Sequence, residues 1–93
     1  DLNANNKVKK KKTKNKDFSY SIKLADFYYK DTAKIMVNRI KSKTSIKKLN
    51  IIKLSLTKYR VLIGPFNDIK TLKESFEIIK KLNFENLEIL KNV

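Results

Sequence analysis

Two eight-residue segments of this chain share one pattern, YSIKLADF at residues 20–27 and YRVLIGPF at residues 59–66. Aromatic or aliphatic residues recur at every second position in both copies, and this period of two predicts a β-strand with one buried face. Each strand is expected to end at a small residue and a turn residue, Ala25-Asp26 and Gly64-Pro65. The chain must therefore fold around two copies of one structural unit.

The same offset of 39 residues continues into the segments that follow, which have helical periodicity. Spacings of three and four residues between apolar side chains predict one amphipathic helix after each strand. Asp31 or Thr32 is expected to cap the first helix, and Asn67 or Asp68 the second. The predicted apolar stripes are Ala33, Met36, Val37 and Ile40 in the first helix, and Ile69, Leu72, Phe76 and Ile79 in the second.

Each helix is followed by a further strand candidate, NIIKLSL at 50–56 and NLEILK at 86–91. A β-α-β order that occurs twice predicts the α+β class, with a ferredoxin-like (split βαβ, βαββαβ) four-stranded antiparallel sheet and both helices on one face. Thr57 and Lys58 alone separate the second and third strands, which predicts a tight hairpin.

Residues 1–17 differ in composition from the rest, with seven lysines, two aspartates and few apolar residues. Such a segment buries too little apolar surface to offset the entropy of ordering it. We expect a disordered basic linker at 1–17, one folded domain at 18–93, and a longer parent protein. The net charge is +14, of which residues 18–93 carry +9. This charge indicates either a polyanionic partner or the lysine excess of AT-rich coding.

The sequence contains no histidine and no cysteine, which are the commonest metal ligands, general bases and nucleophiles. We therefore expect no metal site, no cofactor and no catalysis in this chain, and any catalytic activity would belong to another domain of the parent protein. No apolar run is long enough for a membrane span, and we expect a monomer. The carboxylates of the folded part are expected to be scattered, at Asp26, Asp31, Asp68, Glu74, Glu77, Glu85 and Glu88.

Strand alternation divides the predicted sheet into a face covered by the helices and an open face. The open face combines hydroxyls, cations and aliphatic side chains, which suits a sugar polymer. The residues assigned to the helix side are Phe18, Tyr20, Ile22, Leu24, Ile52, Leu54, Leu56, Tyr59, Val61, Ile63, Leu87 and Ile89. Those assigned to the open face are Ser21, Lys23, Ile51, Lys53, Ser55, Lys58, Arg60, Leu62, Glu88 and Leu90.

The second copy of the strand resembles the signature of the SPOR (sporulation-related repeat) domain, whose third strand ends in Tyr-Arg-Val-x-x-Gly-Pro-Phe. The resemblance covers residues 18–91, and Lys23 and Ala25 depart from it, because the family usually has glutamine and glycine there. It implies a non-catalytic module that binds bacterial peptidoglycan, prefers glycan strands without stem peptides, and targets an envelope protein to the division septum in the periplasm of a Gram-negative bacterium. The matching residues are Tyr59, Arg60, Val61, Gly64, Pro65 and Phe66.

The predicted contacts to glycan come from the open face and from the loop after the first strand. Cations are expected to meet the lactyl carboxylate that muramic acid exposes once its stem peptide is removed. One of the adjacent loop tyrosines is expected to stack on a sugar ring, because two neighbouring aromatics cannot both enter the core. The candidate glycan-binding residues are Ser21, Lys23, Tyr28, Tyr29, Ser55, Lys58, Arg60 and Leu62.

Nucleic-acid binding by the basic surface and the lysine-rich tail is the alternative hypothesis. The RNA-recognition motif shares the predicted topology, but it stacks bases on aromatic side chains of the open face. Here alternation directs Tyr20 and Tyr59 to the helix side, so nucleic acid is not the expected partner. A third hypothesis, attachment of the tail to a membrane surface, lacks an apolar anchor beside the charges.

Overall fold

The computed structural model describes residues 18–91, so the predicted linker at 1–17 lies outside the described residues. The four strands form one antiparallel sheet in the order β2-β3-β1-β4, and the helices pack on one face of it. The predicted α+β, ferredoxin-like arrangement is confirmed. The elements are β1 (Tyr20–Phe27), α1 (Lys30–Lys43), β2 (Leu49–Ser55), β3 (Lys58–Phe66), α2 (Ile69–Lys80) and β4 (Glu88–Lys91).

The two copies of the repeated segment are the central strands, β1 and β3, and they pair with each other. Phe27 pairs with Tyr59 at one end, and Lys23 pairs with Leu62 near the middle. Lys23 and Leu62 are also equivalent positions in the repeat, 39 residues apart. A pseudo-twofold axis therefore passes between these two residues and relates the halves of the sheet.

The core lies between the sheet and the helices and contains most of the predicted apolar stripes. Burial of one large aliphatic side chain stabilises the fold by about 1.5–3 kcal/mol. Ile69, at the first position of α2, is 56% exposed, so the buried stripe of that helix begins at Leu72. The buried core cluster consists of Ile22, Leu24, Ala33, Val37, Ile40, Ile46, Val61, Ile63, Phe66, Leu72 and Ile79.

An irregularity in β1 reverses its alternation. Leu24 is an additional residue, because the pairing with β3 shifts just after Lys23. A bulge of this kind changes the face on which the following residues lie. The strand does not end at Ala25-Asp26 as predicted but continues to Phe27, and Asp26 pairs with Arg60 on the open face.

A second irregularity lies at Gly64-Pro65 of β3, where the strand was expected to end but continues to Phe66. Gly64 has a φ of 135°, and its peptide bond to Pro65 is cis. A Cβ atom at Gly64 would lie 2.8 Å from Oγ of Ser21. Both the backbone conformation and this close approach require glycine.

The edge strand β2 adopts a register one residue away from the predicted one. Ile51 packs against the core, whereas Ile52 pairs with Arg60 and is 42% exposed. The segment NIIKLSL has apolar residues of both parities, so its pairing with β3 decides which of them are buried. The register corrects five assignments: Ile51 and Lys53 lie on the helix side, while Ile52, Leu54 and Leu56 are exposed residues outside the core.

The helices begin differently. Asp68 caps α2 as predicted, because its Oδ1 accepts a hydrogen bond from the backbone N–H of Thr71 at 2.9 Å. The N-cap of α1 is Tyr29, which makes no side-chain cap bond, so the assignment of that cap to Asp31 or Thr32 is wrong. Within residues 18–91, neither helix is long and apolar enough to cross a membrane.

Candidate ligand-binding face

The charged side chains of the open face gather around one carboxylate, Asp26. Arg60 donates from Nε to Oδ1 at 2.7 Å and from Nη2 to Oδ2 at 3.0 Å. Nζ of Lys23 lies 3.8 Å, and Nζ of Lys58 3.9 Å, from Oδ2. Lys23 also lies 3.8 Å from Oε2 of Glu88. These five residues are called the Asp26 cluster below.

Strand pairing positions the cluster. Asp26 of β1 lies directly opposite Arg60 of β3, and Glu88 of β4 lies opposite Lys23 of β1. Lys58 is two residues before Arg60 on the same strand, so both side chains lie on one face. Opposite charges in directly facing positions stabilise a sheet by roughly 0.2–1 kcal/mol per pair.

The cluster favours the ionised form of Asp26. The hydrogen bonds from Arg60 hold the pKa of Asp26 below its usual value, and the positive charges of Arg60, Lys23 and Lys58 act in the same direction against the effect of burial. The bond to Asp26 likewise raises the pKa of Arg60. At neutral pH, two carboxylates thus offset most of the charge of three cations. The predicted cationic patch is therefore largely neutralised, and Arg60 and Lys23 lie on the face as members of ion pairs.

The Asp26 cluster offers donors and acceptors side by side. The side chains of Lys58 and Glu88 are 53% and 54% exposed, whereas those of Lys23, Asp26 and Arg60 are 17–23% exposed. A guanidinium group has five N–H donors, and two of them bond to Asp26. Arg60 therefore keeps N–H donors that are not bonded to Asp26. These donors, with the half-exposed side chains of Lys58 and Glu88, are available to a ligand.

Two of the predicted contact residues are not accessible from this face. Ser21 is 4% exposed and Leu62 is 8% exposed. Gly64 packs closely over Ser21, and Nδ2 of Asn50 donates to the carbonyl of Gly64 at 2.9 Å. Leu62 is outside the core cluster, which agrees with its predicted side of the sheet, but neighbouring residues cover it. Ser21 and Leu62 therefore support the face rather than contact a ligand.

The other predicted contacts lie at the end of the sheet where β1 finishes and β3 begins. Ser55 pairs with Lys58, and its Oγ accepts a hydrogen bond from the N–H of Thr57 at 3.2 Å, which closes the hairpin turn. Tyr28 and Tyr29 are 59% and 64% exposed, with ring centroids 4.7 Å apart in an edge-to-face pair. Neither tyrosine enters the core, and both are accessible to a ligand.

Sequence reasoning missed the carboxylate at the centre of this arrangement. Asp26 was assigned to a strand end because Ala25-Asp26 has turn composition, and strict alternation from Lys23 places it on the helix side. The additional residue Leu24 reverses that alternation. The available signal was Asp26 itself, a charged residue in the repeated segment at 20–27 that needs either solvent or a cationic partner.

The described residues contain no group of three or more carboxylates, histidines or cysteines that could hold a metal ion. The oxygens of Asp26 already accept bonds from Arg60, and Glu88 lies nearest to Lys23. The contacts that these groups make are hydrogen bonds and ion pairs.

Comparison of the chain with protein-family models, with curated proteins and with solved structures finds no significant match in any of the three. The resemblance to the SPOR domain thus depends on the residues 59–66 and on the order of the elements. The argument for a function depends on the geometry of the open face.

Proposed function

We propose that this chain is a non-catalytic module that binds peptidoglycan glycan strands lacking stem peptides. On this proposal it directs its parent envelope protein to the division septum, in the periplasm of a Gram-negative bacterium. The observation that carries the proposal is the bidentate Asp26–Arg60 pair on a sheet face that no described element covers. The motif at residues 59–66 supports the same conclusion.

Sugar hydroxyls both donate and accept hydrogen bonds, so they complement a surface that presents a carboxylate and a guanidinium together. Asp26 accepts from one hydroxyl while Arg60 donates to its neighbour. Lys58 is half exposed and its pairing with Asp26 is long, at 3.9 Å, so it is the cation best placed to meet a lactyl carboxylate. Tyr28 or Tyr29 supplies a ring for stacking at the rim.

Each such contact on an exposed surface contributes only about 0.2–1 kcal/mol. Useful affinity then depends on the repeating nature of the glycan, because several disaccharides or several modules bind at once. Binding is expected to weaken only moderately with salt, because the Asp26 cluster has nearly equal numbers of positive and negative groups.

The same geometry disfavours nucleic acid on this face. Phosphate oxygens only accept hydrogen bonds, so they cannot use the acceptor groups of Asp26 and Glu88, whereas sugar hydroxyls can. Tyr20 and Tyr59 pack against the core on the helix side, so the central strands offer no aromatic platform for bases. Nucleic-acid binding by charge alone stays the alternative that the experiment must separate.

The test is co-sedimentation of the full chain with sacculi whose stem peptides have been removed by an amidase, with untreated sacculi, and with a structured RNA. At physiological salt, we expect clear retention on stripped sacculi and little on the other two. Preferential binding to RNA, or equal binding to stripped and untreated sacculi, would overturn the proposal.

The chain offers a matched control, because Arg39 and Arg60 are its two arginines. Arg60→Gln is expected to lower the affinity for stripped sacculi roughly five- to ten-fold, since a charge-assisted hydrogen-bond donor is lost. Arg39→Gln removes the same charge from the exposed surface of α1 and is expected to leave binding unchanged. Equal losses from both variants would show that net charge, and not the Asp26 cluster, determines binding.

A further inference from the structure

The turn between β2 and β3 carries apolar residues that neither the core nor the Asp26 cluster uses. Leu56, in the two-residue turn, is 82% exposed, and Leu54 is 46% exposed. Tyr28 and Tyr29, in the loop between β1 and α1, are 59% and 64% exposed. These four residues are called the apolar tip.

Strand pairing places the members of the tip at one end of the molecule. Ser55, between the two leucines, pairs with Lys58. Phe27, immediately before the tyrosines, pairs with Tyr59, which is adjacent to Lys58 in the chain. The hairpin turn and the loop from β1 to α1 therefore project from the same end of the sheet.

The composition of the tip is unusual for a hairpin end. Tight turns usually use glycine, asparagine, aspartate or serine, because these residues satisfy turn geometry and remain solvated. Leucine is not one of these turn-favouring residues, and the side chain of Leu56 is largely exposed to solvent. Exposed apolar residues that cluster, instead of occurring singly, mark a contact surface.

Charge and shape identify the kind of surface that the tip fits. Lys30, Lys53 and Lys58 flank the apolar residues, and residues 18–93 carry a net charge of +9. The flanking lysines disfavour contact between two copies through their tips, because like charges would meet. A projecting turn and loop that carry leucine and tyrosine beside lysines match the interface of an anionic bilayer, where such side chains place their apolar parts in the acyl boundary and their polar ends among the headgroups.

We propose that the apolar tip inserts into the headgroup region of a bilayer that contains anionic phospholipid. This membrane contact goes beyond the proposed glycan binding and does not depend on it. It also supplies, within the folded domain, the apolar anchor that the lysine-rich tail lacks. Insertion of a few side chains is shallow and reversible, because stable anchoring needs more apolar surface or a second membrane signal.

The absence of tryptophan from the sequence permits a direct test. Leu56→Trp in the full chain places a single fluorophore at the tip, and Ile35→Trp places one at a 59% exposed position on α1 as a matched control. On addition of vesicles of phosphatidylglycerol and phosphatidylcholine, we expect a blue shift of emission for Leu56→Trp and none for Ile35→Trp. No shift at Leu56→Trp, or equal shifts at both positions, would overturn the proposal.

Co-sedimentation with the same vesicles gives an independent measurement. Leu54→Thr with Leu56→Ser is expected to lower the partition constant about ten-fold, whereas Ile35→Gln changes it less than about two-fold. Threonine preserves strand propensity, and Leu56→Ser alone tests the proposal at a side chain with few contacts. Unchanged partitioning of these variants would overturn the proposal. Vesicle binding that is abolished by high salt but is not changed by the leucine substitutions would also overturn it. The leucine variants are expected to bind stripped sacculi as well as the unmodified chain does, which separates this proposal from the glycan proposal.

Discussion

The two repeated strands place different residues at equivalent positions of the sheet. Asp26 of β1 corresponds to Pro65 of β3, and Arg60 of β3 corresponds to Ser21 of β1, each 39 residues apart. On one side of the pseudo-twofold axis the pair is a bidentate ion pair. On the other side, the Gly64-Pro65 bulge closes over Ser21. One end of the open face thus carries partly exposed charged groups, while at the other end Gly64 packs closely against Ser21.

On the helix side, equivalent positions of the two halves carry similar residues. Ile40 of α1 and Ile79 of α2 are equivalent in the repeat, and both are almost completely buried, at 1% and 0% exposure. Packing against the same sheet imposes the same requirement on both helices. The repeat therefore preserves the core in both halves and leaves the open face free to differ, so the candidate site is assigned to the charged end.

The largest expected effect tests the equivalence of the two halves in the core. Ile40→Ala and Ile79→Ala should each lower the free energy of unfolding by about 2–5 kcal/mol, since both leave a cavity among buried side chains. Urea unfolding followed by circular dichroism measures the change. A loss below about 1 kcal/mol in one variant would show that the two helices do not share the core equally.

A smaller loss of stability is expected from substitution of Gly64, which packs closely against Ser21. Gly64→Ala should cost roughly 2–4 kcal/mol, because the φ of 135° is unfavourable for alanine and the new Cβ would meet Ser21. The equivalent exchange in β1, Ala25→Gly, should cost only about 0.5–1 kcal/mol. Thermal and urea unfolding of both variants check the contrast, and equal losses would contradict it.

At the charged end, Asp26→Asn should lower the free energy of unfolding by about 1 kcal/mol at neutral pH. The bond from Arg60 lowers the pKa of Asp26 in the folded protein from its usual 3.8. This stabilisation is complete above the unfolded-state pKa and is lost as the pH falls from there through the lower folded-state pKa.

Urea unfolding across this pH range should therefore show the difference between the natural chain and Asp26→Asn shrinking as the solution becomes acidic. A difference that stays constant with pH would mean that the charge of Asp26 is not the stabilising feature. Glu88→Gln, at the half-exposed edge of the cluster, serves as the control and should change stability little.

The smallest expected effect concerns the helix starts. Tyr29 has the extended backbone of an N-cap, with φ −115° and ψ 145°, but no capping side chain, unlike Asp68 of α2. Tyr29→Asn should stabilise the protein by roughly 0.5–1 kcal/mol by supplying that bond. Tyr28→Asn, one residue earlier, should give no such gain, and a thermal melt of both variants distinguishes the two.

Much of the fold could be predicted because its signals are local and periodic. The helical stripes around Val37 and Leu72 and the alternation of Ile22 with its neighbours depend only on spacing along the chain. The equivalence of YSIKLADF and YRVLIGPF indicated two copies of one unit, and pairing between them places both at the centre of the sheet.

The candidate site was predictable only in part, because it depends on which strand residues face each other. The cations Lys23, Lys58 and Arg60 were recognised from their parity, but the ion pair that occupies Arg60 was not. Ser21 has the same parity, yet the close approach of Gly64 buries it. In β2, alternation assigned Ile52 to the helix side, but the pairing with β3 places Ile51 there instead.

By itself, the sequence determined the class of the fold, the approximate positions of the helices and strands, and most residues of the core outside β2, because burial of apolar surface acts through local periodicity. The tertiary structure decided the registers of β1 and β2. A single additional residue, Leu24, changes the face of the β1 residues that follow it, and only pairing with a neighbouring strand reveals that change. For this physical reason Asp26 lies beside Arg60, and the character of the open face follows from that contact.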